Sequence, residues 1–264
     1  MLGKVFRFVL KKSPFEKNLS QYYLSRVNLC TNIRCDNKKV FRELVRLLRK
    51  TATPKKYERI LYQHKDKKKA NQYNKHYIRL ACGQQELVIY DKTYQLTEND
   101  LVDDYEKLPA GVLRVEVHYG RSKLRGIEKK YKMDNPLKLL WQLMQESEKR
   151  ILKLVGKCYP DLSYLSYEDG QQIIRDSSFQ TDTKERMLIL LEQMQRKQTL
   201  DKAFQCMEKK YKTSDLLERF QTLGLNPILL RKGYAAKKLP SLLDILKSVG
   251  TKPVQIELKY WKWK

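Results

Sequence analysis

Leu113-Arg114-Val115-Glu116-Val117-His118 sets a carboxylate and an imidazole two residues apart in an otherwise apolar run. Extended backbone sends successive side chains to opposite faces, so Arg114, Glu116 and His118 share one face and Leu113, Val115 and Val117 the other. A carboxylate beside a neutral imidazole can hold a divalent cation, and a cation held there can activate a phosphodiester. The competing reading of the same trio is an internal salt bridge with a satisfied histidine. Two more segments have chemical potential. From Leu24 to Cys30 and on to Asn32, the residues Arg26, Asn28, Cys30 and Asn32 alternate onto one face, as they also would in an ordinary half-buried strand. In Tyr73-Asn74-Lys75-His76-Tyr77, with Leu87 to Lys92 beyond, tyrosines lie among lysines. Such tyrosines can stack on bases, contact phosphates or supply a phenolate nucleophile, although a single tyrosine more often packs with its hydroxyl in water.

Charge narrows the partner. The 264 residues carry 55 Lys and Arg against 30 Asp and Glu, a formal charge of +25 spread along the whole length. Such a field attracts polyanions, and nucleic acid is the expected one, an acidic membrane surface being the alternative. No apolar run approaches the ~18 residues that span a bilayer. Lys4, Arg7, Lys11 and Lys12 interrupt the short apolar start, so no secretory signal and a cytoplasmic location are expected. The five cysteines (Cys30, Cys35, Cys82, Cys158 and Cys206) form no CxxC pair and read as reduced thiols. The ten glycines never form a phosphate-binding GxxxxGK[ST] or GxGxxG, which argues against an ATPase or a dinucleotide enzyme. Nucleophile-elbow, HExxH and EF-hand patterns are missing as well.

These residues must be positioned by strands. Gly3 to Leu10, Tyr22 to Ile33, Tyr77 to Cys82, Glu86 to Leu96 and Val112 to Tyr119 show period-two patterning rich in β-branched and aromatic residues. Lys38 to Arg49 has helical spacing. From Pro136 onward the pattern turns helical: Leu137 to Val155, Ser166 to Asp176, Thr183 to Gln195, Leu200 to Tyr211, Ser214 to Leu223 and Leu239 to Val249. The expected fold class is α+β, with an N-terminal antiparallel-sheet catalytic-type domain over 1–132 followed by an all-α domain over 133–264 that ends in an extended basic-aromatic tail.

Leu24 to Leu29, Ile89 to Lys92 and Leu113 to His118, in that order, resemble the rolling-circle replication initiators of phages and plasmids, a group that includes the filamentous-phage gene II proteins and the plasmid replication initiation factors. Strands of that group often read Arg-hydrophobic-Asp, then Tyr-Asp-Lys or Tyr-Asn-Lys, then Leu-Arg-hydrophobic-Glu. The resemblance covers residues 20 to 130 or so and leaves the helical half without support. It implies a metal-dependent endonuclease of the HUH class, Glu116-Val117-His118 being a variant of the His-hydrophobic-His strand that gives the class its name. A divalent cation, Mn²⁺ or Mg²⁺, would be held by Glu116, His118 and Asn28, with His76 as a further ligand or base. A tyrosine would cut one strand of single-stranded or hairpin origin DNA and stay joined to its 5′ phosphate, leaving a 3′ hydroxyl for a polymerase. Tyr77 is the first choice of nucleophile, then Tyr73 and Tyr90, and Lys92, on one strand face with Tyr90 and Tyr94, would contact phosphate. A host helicase or polymerase would be the protein partner. This chain departs from the pattern at Asn28, where the group usually has aspartate. The rival expectation is a non-catalytic DNA-binding initiator or repressor with a degenerate metal site, and a third is an RNA-binding protein that uses the tyrosines for stacking.

Basic residues mark the DNA surface. Arg26, Lys75 and Arg114 lie within the three segments. In the helical half, Ser214 to Leu223, the Gly224-Leu225-Asn226-Pro227 break and Ile228 to Lys238 read as a helix-turn-helix with Arg231, Lys232, Lys237 and Lys238 on phosphates. The final Lys259-Tyr260-Trp261-Lys262-Trp263-Lys264 suits base stacking or packing on the core.

Overall fold

The computed structural model describes residues 23–98, 111–133, 135–197, 199–207, 213–249 and 257–259. Five strands from the first half form an antiparallel sheet: β1 (Arg26–Cys35), β2 (Glu58–Arg59), β3 (Tyr77–Cys82), β4 (Gln85–Asp91) and β5 (Gly111–Gly120). They hydrogen-bond in the order β2-β3-β4-β5-β1. The register follows from the alternation of the sequence. Val27 lies opposite Tyr119, Leu29 opposite Val117 and Ile33 opposite Leu113, while Leu87 and Ile89 of β4 meet Val117 and Val115. A one-residue slip would turn every one of these side chains away from the core.

Helices cover that apolar face. In α1 (Lys38–Lys50), Asn37 caps the start by accepting from the amides of Lys39 and Val40, and Arg49 and Lys50 favour the negative end of the helix dipole. Its Phe41, Leu44, Leu47 and Leu48 are buried against the sheet. The approach is close at Gly111, where a Cβ would stand 2.4 Å from Phe41 Cγ. Next come α2 (Lys67–Asn74), α3 (Lys92–Glu98) and α4 (Arg121–Lys130), then the second half with α5 (Pro136–Gln145), α6 (Ser147–Cys158), α7 (Tyr167–Asp176), α8 (Thr181–Arg196), α9 (Leu200–Gln205), α10 (Thr213–Thr222) and α11 (Leu242–Val249). α6 packs on β5 and β1, and α11 on α6 and β1. The fold is therefore mixed, an antiparallel sheet followed by a mostly helical part.

Strands also occur in the second half. β6 (Tyr164–Leu165) and β7 (Lys238–Leu239) form a short antiparallel pair, and β8 (Glu257–Lys259) joins the outer side of β1 as the sixth strand of the main sheet. The expected boundary between residues 132 and 133 is crossed by one buried apolar cluster running from Leu24 to Leu246. It is also crossed by Glu43 of α1, which binds Arg231, and by the Lys50 ammonium, which donates to the carbonyls of Met194 and Lys197.

Several sequence expectations need correction. The expected strand over Glu86–Leu96 ends at Asp91, whose side chain accepts from the amide of Tyr94 at 2.9 Å and starts α3, so Lys92 lies in a helix and not on a strand face. The expected helix over Leu137–Val155 is two helices that break at Glu146, whose carboxylate gathers Tyr131, Gln142 and Arg150. The helix-turn-helix is absent: α10 ends at Thr222, Gly224 takes a φ of +62°, and residues 225–230 are buried without becoming helical. The backbone there pairs sideways, with the amide of Leu230 on the carbonyl of Leu165 and the amide of Ser166 on that of Lys237. The expected strand over Gly3–Leu10 and the stretch from Tyr260 to Lys264 lie outside the described residues. Among the described residues no helix is long and apolar enough to cross a membrane.

Candidate functional site

The second face of the sheet is polar. Antiparallel pairing sets Asn28 opposite His118 and Cys30 opposite Glu116 from β1, and Glu86 opposite His118 and Tyr90 opposite Arg114 from β4. One strand further, Tyr77 lies opposite Tyr90. The register thus brings Arg26, Asn28, Tyr77, Tyr90, Arg114, Glu116 and His118, chosen from three separate segments of sequence, onto one face. Glu116 and His118 are 8% and 9% exposed, so their charges need partners.

Those partners are present. Glu116 Oε1 accepts from the Tyr90 hydroxyl at 2.8 Å and lies 2.8 Å from Arg114 Nε, while Oε2 is 2.7 Å from His118 Nε2. Glu86 takes Arg79 in a fork at 2.7 and 3.1 Å, and its Oε2 is 3.2 Å from His118 Nδ1. Arg26 donates to Asn28 Oδ1 at 3.1 Å and brings its guanidinium 2.5 Å from His118 Nδ1. Nδ1 thus faces a carboxylate and a guanidinium at once: protonated it donates to Glu86, unprotonated it accepts from Arg26.

The titration tendencies follow from this arrangement. Burial opposes charge on His118, but the hydrogen bonds of Glu116 and Glu86 outweigh it and hold the imidazole above its usual pKa. His118 first, then Arg79 against the effect of burial, bring Glu86 down to about 2. Glu116 is lowered despite burial, by His118, Tyr90 and Arg114. The tyrosines move the other way. Burial and then neighbouring tyrosines push Tyr73 up to about 12, burial raises Tyr77, and burial with the Glu116 charge raises Tyr90 further still.

A chain of rings leads away from this network. Tyr90 and Tyr77 have centroids 6.3 Å apart, Tyr77 and Tyr73 5.3 Å, and Tyr73 and the exposed Tyr62 4.3 Å. Lys65, Lys67, Lys68 and Lys69 are exposed beside Tyr62, at the start of α2, where Asp66 caps the helix. The face therefore grades from buried charge, through aromatic rings, to an exposed lysine run.

The donors named from the sequence do not fit a divalent cation as they are arranged. Every oxygen of Glu116 and Glu86, and Asn28 Oδ1, already faces an arginine, a histidine or a tyrosine hydroxyl, and three guanidinium groups surround two carboxylates. Among the described residues no group of three or more His, Cys, Asp or Glu is set to hold a metal ion. His76 pairs with Asp91 at 3.1 Å and stacks on Tyr94, on the helix side of the sheet.

Other expected site residues are elsewhere. Lys92 binds Gln95 in α3, with its ammonium 6.0 Å from the centre of the Tyr90 ring. Lys75 binds Gln72. Arg231 binds Glu43 and Lys232 binds Glu192, while Lys237 and Lys238 are exposed around β7, away from the tyrosines in sequence and in sheet. Two residues that sequence reasoning missed belong to the site. Glu86 stands four positions before Tyr90 and Arg79 two after Tyr77, each on the face of a residue already chosen, so carrying the alternation back along β4 and forward along β3 would have found both. No family model, curated protein or solved structure matches this chain.

Proposed function

We propose that this chain is a DNA replication initiator that holds one strand of single-stranded or hairpin origin DNA along the tyrosine-lined face of its sheet and nicks and rejoins it through Tyr77. The observation that supports it most is the ring series from exposed Tyr62 to buried Tyr90, flanked by lysines and ending on an arginine, histidine and carboxylate network. Bases stack on such rings without regard to sequence, and lysines and arginines take the phosphates. Among the candidate nucleophiles, Tyr77 is less buried than Tyr90, and the Arg79 guanidinium two positions on along the same strand face, which binds Glu86, exerts a favourable charge on it. Attack by that oxygen on phosphorus would place the two guanidiniums of Arg79 and Arg26, both partly exposed, against the developing phosphate charge. A cytoplasmic site of action and a polymerase or helicase partner belong to this reading.

A second reading, an initiator or repressor that binds without cutting, is favoured by a specific observation. Asn28 replaces the usual aspartate, both carboxylates are fully engaged, and all three candidate tyrosines are held neutral. The two readings part in one assay: labelled single-stranded oligonucleotides from the gene's own neighbourhood, with Mn²⁺ or with EDTA, followed by denaturing electrophoresis. A protease-sensitive shifted band that disappears in Tyr77→Phe while affinity is kept supports nicking. Binding without an adduct in either buffer leaves the non-cutting reading, and no binding at all sinks both.

A further inference from the structure

On the helix side of the sheet, around the end formed by β3 and β4, lies a groove of about 360 Å³ between α1 and the α3 region. One wall is a line of cations. Lys38, Arg42 and Arg49 follow at i, i+4 and i+11 along α1, on a single helix face with Val45 between them. Among the described residues none of these three side chains is hydrogen-bonded or ion-paired, and Arg49 is crowded by a second guanidinium, that of Arg59. The opposite wall is flat and aromatic: His76 and Tyr94 stack with centroids 3.9 Å apart and planes 6° from parallel. Lys75 stands at the same wall. The acids in the lining are Asp91, committed to His76, and Glu98, whose charge raises the pKa of the Tyr94 hydroxyl after the effect of burial.

Three unpaired cations in a row facing an aromatic plate have the chemistry of a polynucleotide site, with phosphates on the cations and a base or sugar against the rings. The groove is also joined to the tyrosine face. The Tyr94 ring lies 6.3 Å from that of Tyr73, so the aromatic surface continues around the end of the sheet.

We infer that this groove is a second nucleic-acid site, which takes the backbone of the same DNA strand after it leaves the tyrosine face. Lys38, Arg42 and Arg49 bind successive phosphates and Tyr94 supports a base. This inference rests on the DNA-binding reading above, and its test separates the two.

The assay is fluorescence anisotropy of a labelled oligo-dT of about 20 nucleotides, titrated with the full chain across a salt series. Removing two phosphate contacts in Arg42→Ala/Arg49→Ala should flatten the slope of log K against log salt by ~1.4, at about 0.7 per contact for single strands. Carried over a decade of salt, that slope amounts to about 25-fold weaker binding near 0.1 M. Tyr94→Leu should weaken binding with the slope unchanged, and Lys149→Ala, an exposed cation on α6 outside the lining of the groove, should leave both quantities at the wild-type value. Because Arg42 is exposed, the single Arg42→Ala variant, expected to lose half the slope change, covers the case in which the double variant does not fold. Wild-type slope and affinity in both arginine variants would overturn the groove while leaving the tyrosine face intact. Competition by thymidine monophosphate at micromolar concentration would also overturn it, since the site would then hold a free nucleotide and not a strand. A wild-type chain that binds no oligonucleotide refutes the DNA reading itself.

Discussion

Replacing Glu43 by glutamine should cost about 3 kcal/mol of stability. The carboxylate is wholly buried and accepts five hydrogen bonds: from Arg46 at 2.9 and 2.6 Å, from the Arg231 guanidinium at 2.8 and 2.6 Å, and from the Arg231 amide at 3.1 Å. Bonds to a charged group contribute ~1.5–3 kcal/mol each when lost singly, and breaking a buried ion pair costs about 3–5 kcal/mol. Two features hold the estimate at the low end: glutamine keeps the volume and one acceptor, and Arg46 and Arg231 are 23% and 55% exposed and regain water. At ~2–4 °C per kcal/mol for a chain of this size, the melting temperature should fall by about 6–12 °C near neutral pH. The loss should also depend on pH. Burial works against the Glu43 charge, but Arg46 and Arg231 prevail and lower its pKa below the ordinary 4.5. Its contribution is therefore complete above 4.5 and fades as pH falls through the lowered folded value, so wild type and variant should converge in acid. Circular dichroism melts from about pH 3 to pH 7 measure both effects. A fall under about 2 °C at neutral pH, or a gap that ignores pH, would refute the reasoning.

Two more outcomes follow from the polar face. The raised pKa of His118 makes its stabilising contribution complete below the ordinary 6.5 and lost as pH climbs through the folded value, so urea midpoints should decline on the alkaline side and His118→Gln should remove that decline. An alkaline slope unchanged in the variant would show that the histidine is not the group responsible. Because the donor oxygens are engaged by arginine, histidine and tyrosine, millimolar Mn²⁺ or EDTA should shift the melting temperature by less than about 1 °C. A rise of several degrees with Mn²⁺ would mean that the network opens to take a cation, since a ligand that binds only the folded state must stabilise it.

The strands that carry the site were legible because alternation is a local property. Leu113, Val115 and Val117 point to the core as their spacing demands, and Arg114, Glu116 and His118 point away. Alternation puts Glu86 and Arg79 on the polar face, but which residue each meets across the sheet was not legible. That Glu86 comes to His118 is a fact of register between β4 and β5, and no spacing within either strand encodes it. Lys92 was misplaced because Asp91 belongs at once to the end of a strand and to the cap of a helix, and the capping bond prevailed. The supposed recognition helix failed for a different reason. Leu225, Ile228, Leu229 and Leu230 are apolar because the whole stretch is buried, and burial on all sides leaves no periodicity to separate a helix from a coil.

The pairing of β8 with β1 has a kinetic side. β1 is closed on one side by β5 and on the other by Glu257–Lys259, so Asn28 meets His118 on one flank and Glu257 on the other. Contacts this remote in sequence slow folding, because the entropy of closing the loop is lost before the contact repays it. At ~5–20 residues per second, the wait between synthesis of Asn28 and of Glu257 is roughly 10–45 s. Throughout that interval the strand bearing Arg26 and Asn28 has an open edge, and a charged side chain on it such as Arg26 is the kind of residue that keeps an unpaired edge from recruiting a second nascent chain.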